Sequence, residues 1–86
     1  MYAPIFRKDG NELFIMDADY LSAYYRGAQR IALSEMFVEG VFLGMEFVRV
    51  QEIDIDNIPH VTATLSGVPV AIISGPIFDE RDFEEE

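Results

Sequence analysis

The chain has 86 residues, a mass of 9.8 kDa and a formal net charge of −10 at pH 7. Half of the residues are hydrophobic, yet no unbroken apolar stretch reaches the roughly 18 residues of a membrane span, and without cysteine there is no disulfide framework or thiolate site. These features predict one small soluble domain with no membrane partner. The unstapled chain and the absence of a signal-like start favour the cytoplasm, or the host cytoplasm if the protein is viral.

The first half of the chain predicts a β-hairpin followed by one helix. Apolar runs flank Lys8-Asp9-Gly10-Asn11, and Asp-Gly provides the positive φ angles of a tight hairpin turn. Asp17 is a suitable N-cap, and apolar residues recur at helical spacing after it, which predicts a helix over 18–38 ending at Gly40.

The next segment contains two candidate strands. Residues 41–50 are compatible with a helix or a strand; Gly40 just before the segment, Gly44 within it and many β-branched and aromatic residues favour a strand with an irregularity near Arg49. From Glu52 to Asp56, isoleucines alternate with carboxylates, as in a half-buried strand.

The last part of the domain predicts a second hairpin. Residues 60–65 alternate with Val61, Ala63 and Leu65 inward, Ser66-Gly67 forms a turn, and 68–73 is an apolar strand in which Pro69 indicates an edge or a strand start. The expected fold is α+β: a single helix packed on an antiparallel sheet, in the order ββαβββ. We expect one domain over 1–78 and a flexible acidic tail over 79–86.

The negative charge lies in one part of the sequence. Residues 1–34 hold four acidic and four basic residues, whereas 35–86 hold twelve acidic residues and two arginines. Direct nucleic-acid binding is therefore not expected, because that binding depends on Lys and Arg contacts to phosphates. The excess charge either keeps the protein soluble or attracts a basic partner.

Two acidic clusters are the candidate partner-binding site. Glu52, Asp54 and Asp56 on one strand face would lie about 6.6 to 6.8 Å apart, nearly the phosphate spacing of a single nucleic-acid strand. Such a row could also hold Ca²⁺ or Mg²⁺, but the calcium-loop pattern is absent, so no metal is expected. The second cluster is in the tail: Asp79, Glu80, Asp82, Glu84 and Glu85.

The predicted helix provides a second candidate contact surface. Tyr20 and Tyr25 flank its core stripe, and Arg26 and Arg30 share its outer face at i, i+4 spacing. Tyr and Arg are enriched in binding hot spots, although tyrosines at a core margin also pack there for stability alone.

The function indicated by these features is non-enzymatic. His60 is the single histidine, no nucleophile or phosphate-binding motif accompanies it, and no cofactor is expected. We expect an acidic inhibitor that occupies a basic or nucleic-acid-binding surface of a partner protein. Small acidic inhibitors encoded by phages, including some anti-restriction and anti-CRISPR proteins, are similar in size and charge, but no shared motif indicates a family.

An alternative function is a small structural subunit. Several apolar side chains exceed what one helix over a small sheet readily covers, which favours a homodimer. They are Phe37, Val41, Phe42, Leu43, Met45 and Phe47.

Overall fold

Five strands and two helices form the part of the chain that the computed structural model describes, residues 1–76. The element order is ββααβββ. In chain order the elements are β1 (Tyr2–Lys8), β2 (Asn11–Ile15), α1 (Ala18–Tyr25), α2 (Gln29–Phe42), β3 (Glu46–Glu52), β4 (Val61–Leu65) and β5 (Val68–Ser74).

The strands form one antiparallel sheet in the order β3-β1-β2-β5-β4. The α+β class and the antiparallel sheet are therefore confirmed. Both predicted hairpins are present: the β1–β2 turn has Asp9 and Gly10 at φ 53° and 81°, and the β4–β5 turn has Ser66 and Gly67 at φ 49° and 83°. Pro69 is the second residue of β5, but this strand lies between β2 and β4, not at an edge.

The prediction of a single helix is wrong, because the helical segment breaks between α1 and α2. Asp17 caps α1 as expected, its side chain accepting a hydrogen bond from the Asp19 backbone N–H at 2.9 Å. Gly27 has φ 93°, a left-handed conformation that ends α1 and lets the chain restart at Gln29. The helical periodicity on either side of Gly27 is real, but it belongs to two helices.

The second helix ends later in the sequence than predicted, at Phe42. Gly40 lies inside α2, where a Cβ would overlap the ring of Phe6, so its role is close packing of helix on sheet. The C′ glycine is Gly44, with φ 76°. Its N–H donates to Val41 O and the Met45 N–H donates to Gly40 O, both at 3.0 Å, the hydrogen-bond pattern of a Schellman motif.

The strand expected over 41–50 is correct only in its second half, because α2 continues to Phe42 and β3 begins at Glu46. The predicted irregularity is present: Ile5 pairs with Arg49 and Phe6 with Phe47, which leaves Val48 as a bulge.

Apolar side chains cover both faces of the sheet. On one face, a core centred on Phe6, Ile15 and Val70 packs against Met36 of α2. On the other face, a smaller core of Ala3, Ile5, Phe14, Ile53 and Ala71 is completed by Ile55 and Ile58. The segment after β3 thus acts as a cover for the second face.

Candidate functional site: an acidic and aromatic groove

A groove of about 660 Å³ lies between the end of α1 and the segment that follows β3. It brings acidic and aromatic side chains together. Its lining residues are Met1, Tyr24, Tyr25, Glu52, Ile53, Asp54, Ile55 and Asp56.

The acidic wall of this groove is a turn, so the strand expected over 52–56 is wrong. β3 ends at Glu52. The Asp54 side chain accepts hydrogen bonds from the Asp56 N–H at 3.2 Å and from Asn57 Nδ2 at 2.5 Å, and Asp54 O accepts from the N–H groups of Asn57 and Ile58. Asp and Asn side chains that hydrogen-bond to nearby backbone groups stabilise turns in competition with strand pairing, and here the turn is favoured.

The predicted side-chain directions nevertheless hold. Ile53 is buried and Ile55 half-buried, while Asp54 and Asp56 are exposed. The Ile53 N–H donates to Met1 O, which fastens the start of the turn to the sheet. The carboxylates therefore border one groove, but the regular spacing of a single strand face is absent.

Two tyrosines of α1 line the groove with these acids. The Tyr24 hydroxyl accepts a hydrogen bond from the Tyr2 N–H at 3.1 Å, which anchors the end of α1 to the start of β1. Tyr25 packs edge-on against Tyr24, with ring centroids 5.8 Å apart, and remains 69% exposed. An exposed tyrosine ring beside carboxylates is a favourable environment for an organic cation.

The acids of this groove form no ion pair with another described residue. Within residues 1–76, the ion pairs join Arg7 and Arg49 to Glu12, and Arg7 to Glu46; none involves Glu52, Asp54 or Asp56. The carboxylates of Glu52 and Asp56 therefore remain available to a positively charged partner, while that of Asp54 also holds the turn.

The paired carboxylate of Glu12 provides a contrast. Arg49 Nη2 lies 2.9 Å from Glu12 Oε1 and Arg49 Nη1 3.1 Å from Oε2, a bidentate arrangement. Hydrogen bonding from Arg49 lowers the pKa of Glu12, with Arg7 adding a smaller effect, and the same pair raises the pKa of Arg49. Sequence reasoning missed this pair because its members are 37 residues apart.

The second predicted contact surface is divided. Arg26 is the C-cap of α1 and donates to Ser22 Oγ at 3.2 Å, whereas Arg30 lies in the first turn of α2. The shared outer face at i, i+4 spacing is therefore wrong, since Gly27 separates the two residues. Tyr20 packs toward α2 and donates to Glu39 Oε2 at 3.3 Å; burial, and then Glu39, raise its pKa. Tyr25 instead lines the acidic groove.

The remaining predicted residues do not line the acidic groove within the described part of the chain. His60 Nδ1 lies 2.8 Å from Ile58 O, a contact local to the turn before β4. Across residues 1–76, no group of three acidic or histidine side chains is arranged to hold a metal ion. The tail residues Asp79, Glu80, Asp82, Glu84 and Glu85 lie outside the described residues.

Neither helix in the described range has the length and hydropathy needed to cross a bilayer. Comparisons with protein-family models, with curated proteins and with solved structures found no match for this chain.

Proposed function

We propose that the protein is a non-enzymatic interaction protein that binds a basic surface of another protein and inhibits it by occupying that surface. A partner surface that normally binds nucleic acid suits this role, because the Lys and Arg side chains that pair with phosphate also pair with carboxylate. The observation that supports the proposal is the groove in which three carboxylates without an ion-pair partner in residues 1–76 meet the exposed ring of Tyr25.

The chemistry of the groove favours a lysine or arginine side chain as the recognised group. Carboxylates attract the cation over a distance set by the ionic strength, and the tyrosine face adds a cation–π contribution of about 0.5–1 kcal/mol at an exposed site. Arginine is the stronger candidate, since its planar guanidinium both stacks on an aromatic ring and bonds a carboxylate in a bidentate manner.

A binding titration tests this proposal. Fluorescence anisotropy of a labelled nona-arginine peptide is followed as the full-length chain is added, at low and at physiological salt. The double variant Glu52→Gln/Asp56→Asn is expected to weaken binding at least tenfold, while Asp54 is kept because its side chain holds the turn. Binding of the wild-type protein is expected to weaken as salt rises.

A matched control is available elsewhere on the surface. The variant Asp9→Asn/Glu46→Gln removes the same number and types of charge from exposed positions that do not line the groove. It is expected to bind nearly as the wild type does. Equal weakening by both double variants would show that only overall charge matters and would refute the groove as the binding site.

A second candidate function, a structural subunit that forms a homo-oligomer, is favoured by a different observation. Several large apolar side chains of α2 and β3 are exposed, and Phe42 is 82% exposed. Light scattering of the purified chain distinguishes the two functions, since a subunit of this kind is a defined oligomer without any basic partner.

A further inference from the structure

The outward side of α2 carries apolar side chains, as does the side that packs on the sheet. Its inner side buries Ala32, Met36 and Gly40. At helical spacing on the opposite side lie Ile31, Ser34, Val38 and Val41, all exposed. A surface helix normally carries polar and charged residues on its outward side, so the exposed Ile31, Val38 and Val41 mark a side of α2 that a further element could cover.

The exposed apolar area is large enough for a dimer interface. We use the term apolar face for six exposed side chains: Ile31, Phe37, Val38, Val41, Phe42 and Phe47. With about 200 Å² for a whole aromatic side chain and less for the aliphatic ones, they expose on the order of 600 Å². Complete burial of two such faces would remove on the order of 1,200 Å² from solvent, the lower end of the range for specific interfaces.

A shallow groove beside this face fits the most exposed of its side chains. It has a volume of about 210 Å³ and is lined by Tyr20, Ser34, Glu35, Val38 and Glu39. Since an apolar cavity of about 150 Å³ holds a benzene molecule, the groove has room for one phenylalanine ring.

We infer that two copies of this chain associate through the apolar face, with their α2 helices antiparallel about a two-fold axis near Val38. Phe42 is four residues after Val38 and Ser34 is four residues before it, so this axis places Phe42 of each copy opposite Ser34 of the other. Each Phe42 ring then fills the groove of the other copy. The inference builds on the second candidate function and is independent of the acidic groove.

The charge distribution favours a second copy at this face. Two chains that each carry a net charge of −10 repel, so they associate only where carboxylates are sparse. Between Arg30 and Phe42 the acidic residues are Glu35 and Glu39, and Glu39 accepts a hydrogen bond from Tyr20. About this axis the two Glu35 residues are about 9 Å apart along the helices and the two Glu39 residues about 3 Å apart, given a rise of 1.5 Å per residue. Repulsion among these four carboxylates is therefore part of the interface, and salt screens it.

Sedimentation equilibrium and light scattering of the full-length chain test this inference. The wild type is expected to have twice the 9.8 kDa chain mass at high protein concentration. Added salt is expected to strengthen the dimer, because it screens repulsion between like-charged copies, whereas it weakens binding of a basic peptide.

Two matched substitutions locate the interface. Val38→Asp places a charge at the proposed axis, and Val50→Asp makes the same change on the edge strand β3; the two valines are 66% and 53% exposed. Val38→Asp is expected to weaken the dimer at least tenfold and Val50→Asp to leave it within about twofold. Phe42→Asp is expected to act like Val38→Asp, and circular dichroism melting checks that each variant is folded.

The outcomes distinguish failure of the oligomer itself from failure of the proposed interface. A wild-type chain that is monomeric at every salt and protein concentration overturns both the dimer and the second candidate function. If the Val38→Asp and Phe42→Asp variants are folded and still form the oligomer, this interface is wrong but the candidate function stands. Disruption by Val50→Asp alone moves the interface to the edge of the sheet and also overturns the apolar face.

Discussion

The carboxylate of Glu12 and the carboxylates of the groove have similar chemistry but different surroundings. Glu12 is bound by Arg49 and Arg7, across three neighbouring strands of the sheet. Glu52 and Asp56 have no such partner within residues 1–76. The comparison teaches that net charge alone does not identify a binding surface; what matters is where the few arginines are placed.

Charge reversal at the two regions is expected to give the largest difference in stability between them. Arg49→Glu removes a bidentate pair and places a second carboxylate beside Glu12, so the free energy of unfolding is expected to fall by about 2 kcal/mol, from the lost pair and the new repulsion together. Asp56→Lys in the groove relieves repulsion among neighbouring acids and is expected to change the free energy of unfolding by less than about 0.5 kcal/mol. Urea unfolding of both variants measures the difference, and equal losses would contradict the distinction between the two regions.

The turn at Asp54 sharpens the comparison, because there one carboxylate has a structural role within the groove. Asp54→Ala removes the side-chain acceptor of the Asp56 N–H and is expected to lower the free energy of unfolding by about 1 kcal/mol. Asp54→Asn keeps an oxygen for the Asp56 N–H but loses the oxygen that accepts from Asn57 Nδ2, so it is expected to retain part of the stability, while weakening peptide binding through the lost charge. If Asn were as destabilising as Ala in a thermal melt, the hydrogen bond from the Asp56 N–H would not be what holds the turn.

The pH dependence of stability is expected to show the smallest effect. The pKa of Glu12 is lower in the folded protein than in the unfolded chain, so the contribution of its ion pair is present above the unfolded pKa and lost as pH falls through the folded pKa. A Glu12→Gln variant is expected to be less stable than wild type by about 0.5–1 kcal/mol at neutral pH, the range for a partly exposed pair. This difference disappears in strong acid. Urea titrations of both proteins at a series of pH values measure this difference in stability. A difference that does not change with pH would show that the effect comes from packing and not from the ion pair.

Local patterns in the sequence were sufficient wherever a short-range interaction decides the structure. Asp9-Gly10 and Ser66-Gly67 specify tight turns because few other residues adopt positive φ. The Asp17 cap depends on a residue two positions away. Alternating apolar residues likewise identified the inward side of 60–65, since only one side of the edge strand β4 is covered by other described residues.

The sequence errors arose where two local interpretations compete. Gly27 could stand inside a helix at a modest cost or end one, and the structure shows that it ends one. The alternation of isoleucines with carboxylates over 52–56 fits a strand, and it also fits a turn whose isoleucines pack on the sheet. The hydrogen bonds to the Asp54 side chain favour the turn. For the candidate site, the acids and Tyr25 were identified from the sequence, but their placement around one groove was not.

The sequence by itself determined the α+β class, both hairpins, the N-cap of α1 and the concentration of negative charge after residue 34, because each depends on neighbouring residues or on composition alone. Tertiary structure decided that Arg49 pairs with Glu12 and not with Glu52, which is nearer to it in sequence than Glu12 is, that Tyr25 lies beside the acidic turn, and that apolar side chains of α2 such as Val38 are exposed. These features depend on contacts between residues distant in sequence. The order of strands in the sheet fixes those contacts, and no local pattern encodes it.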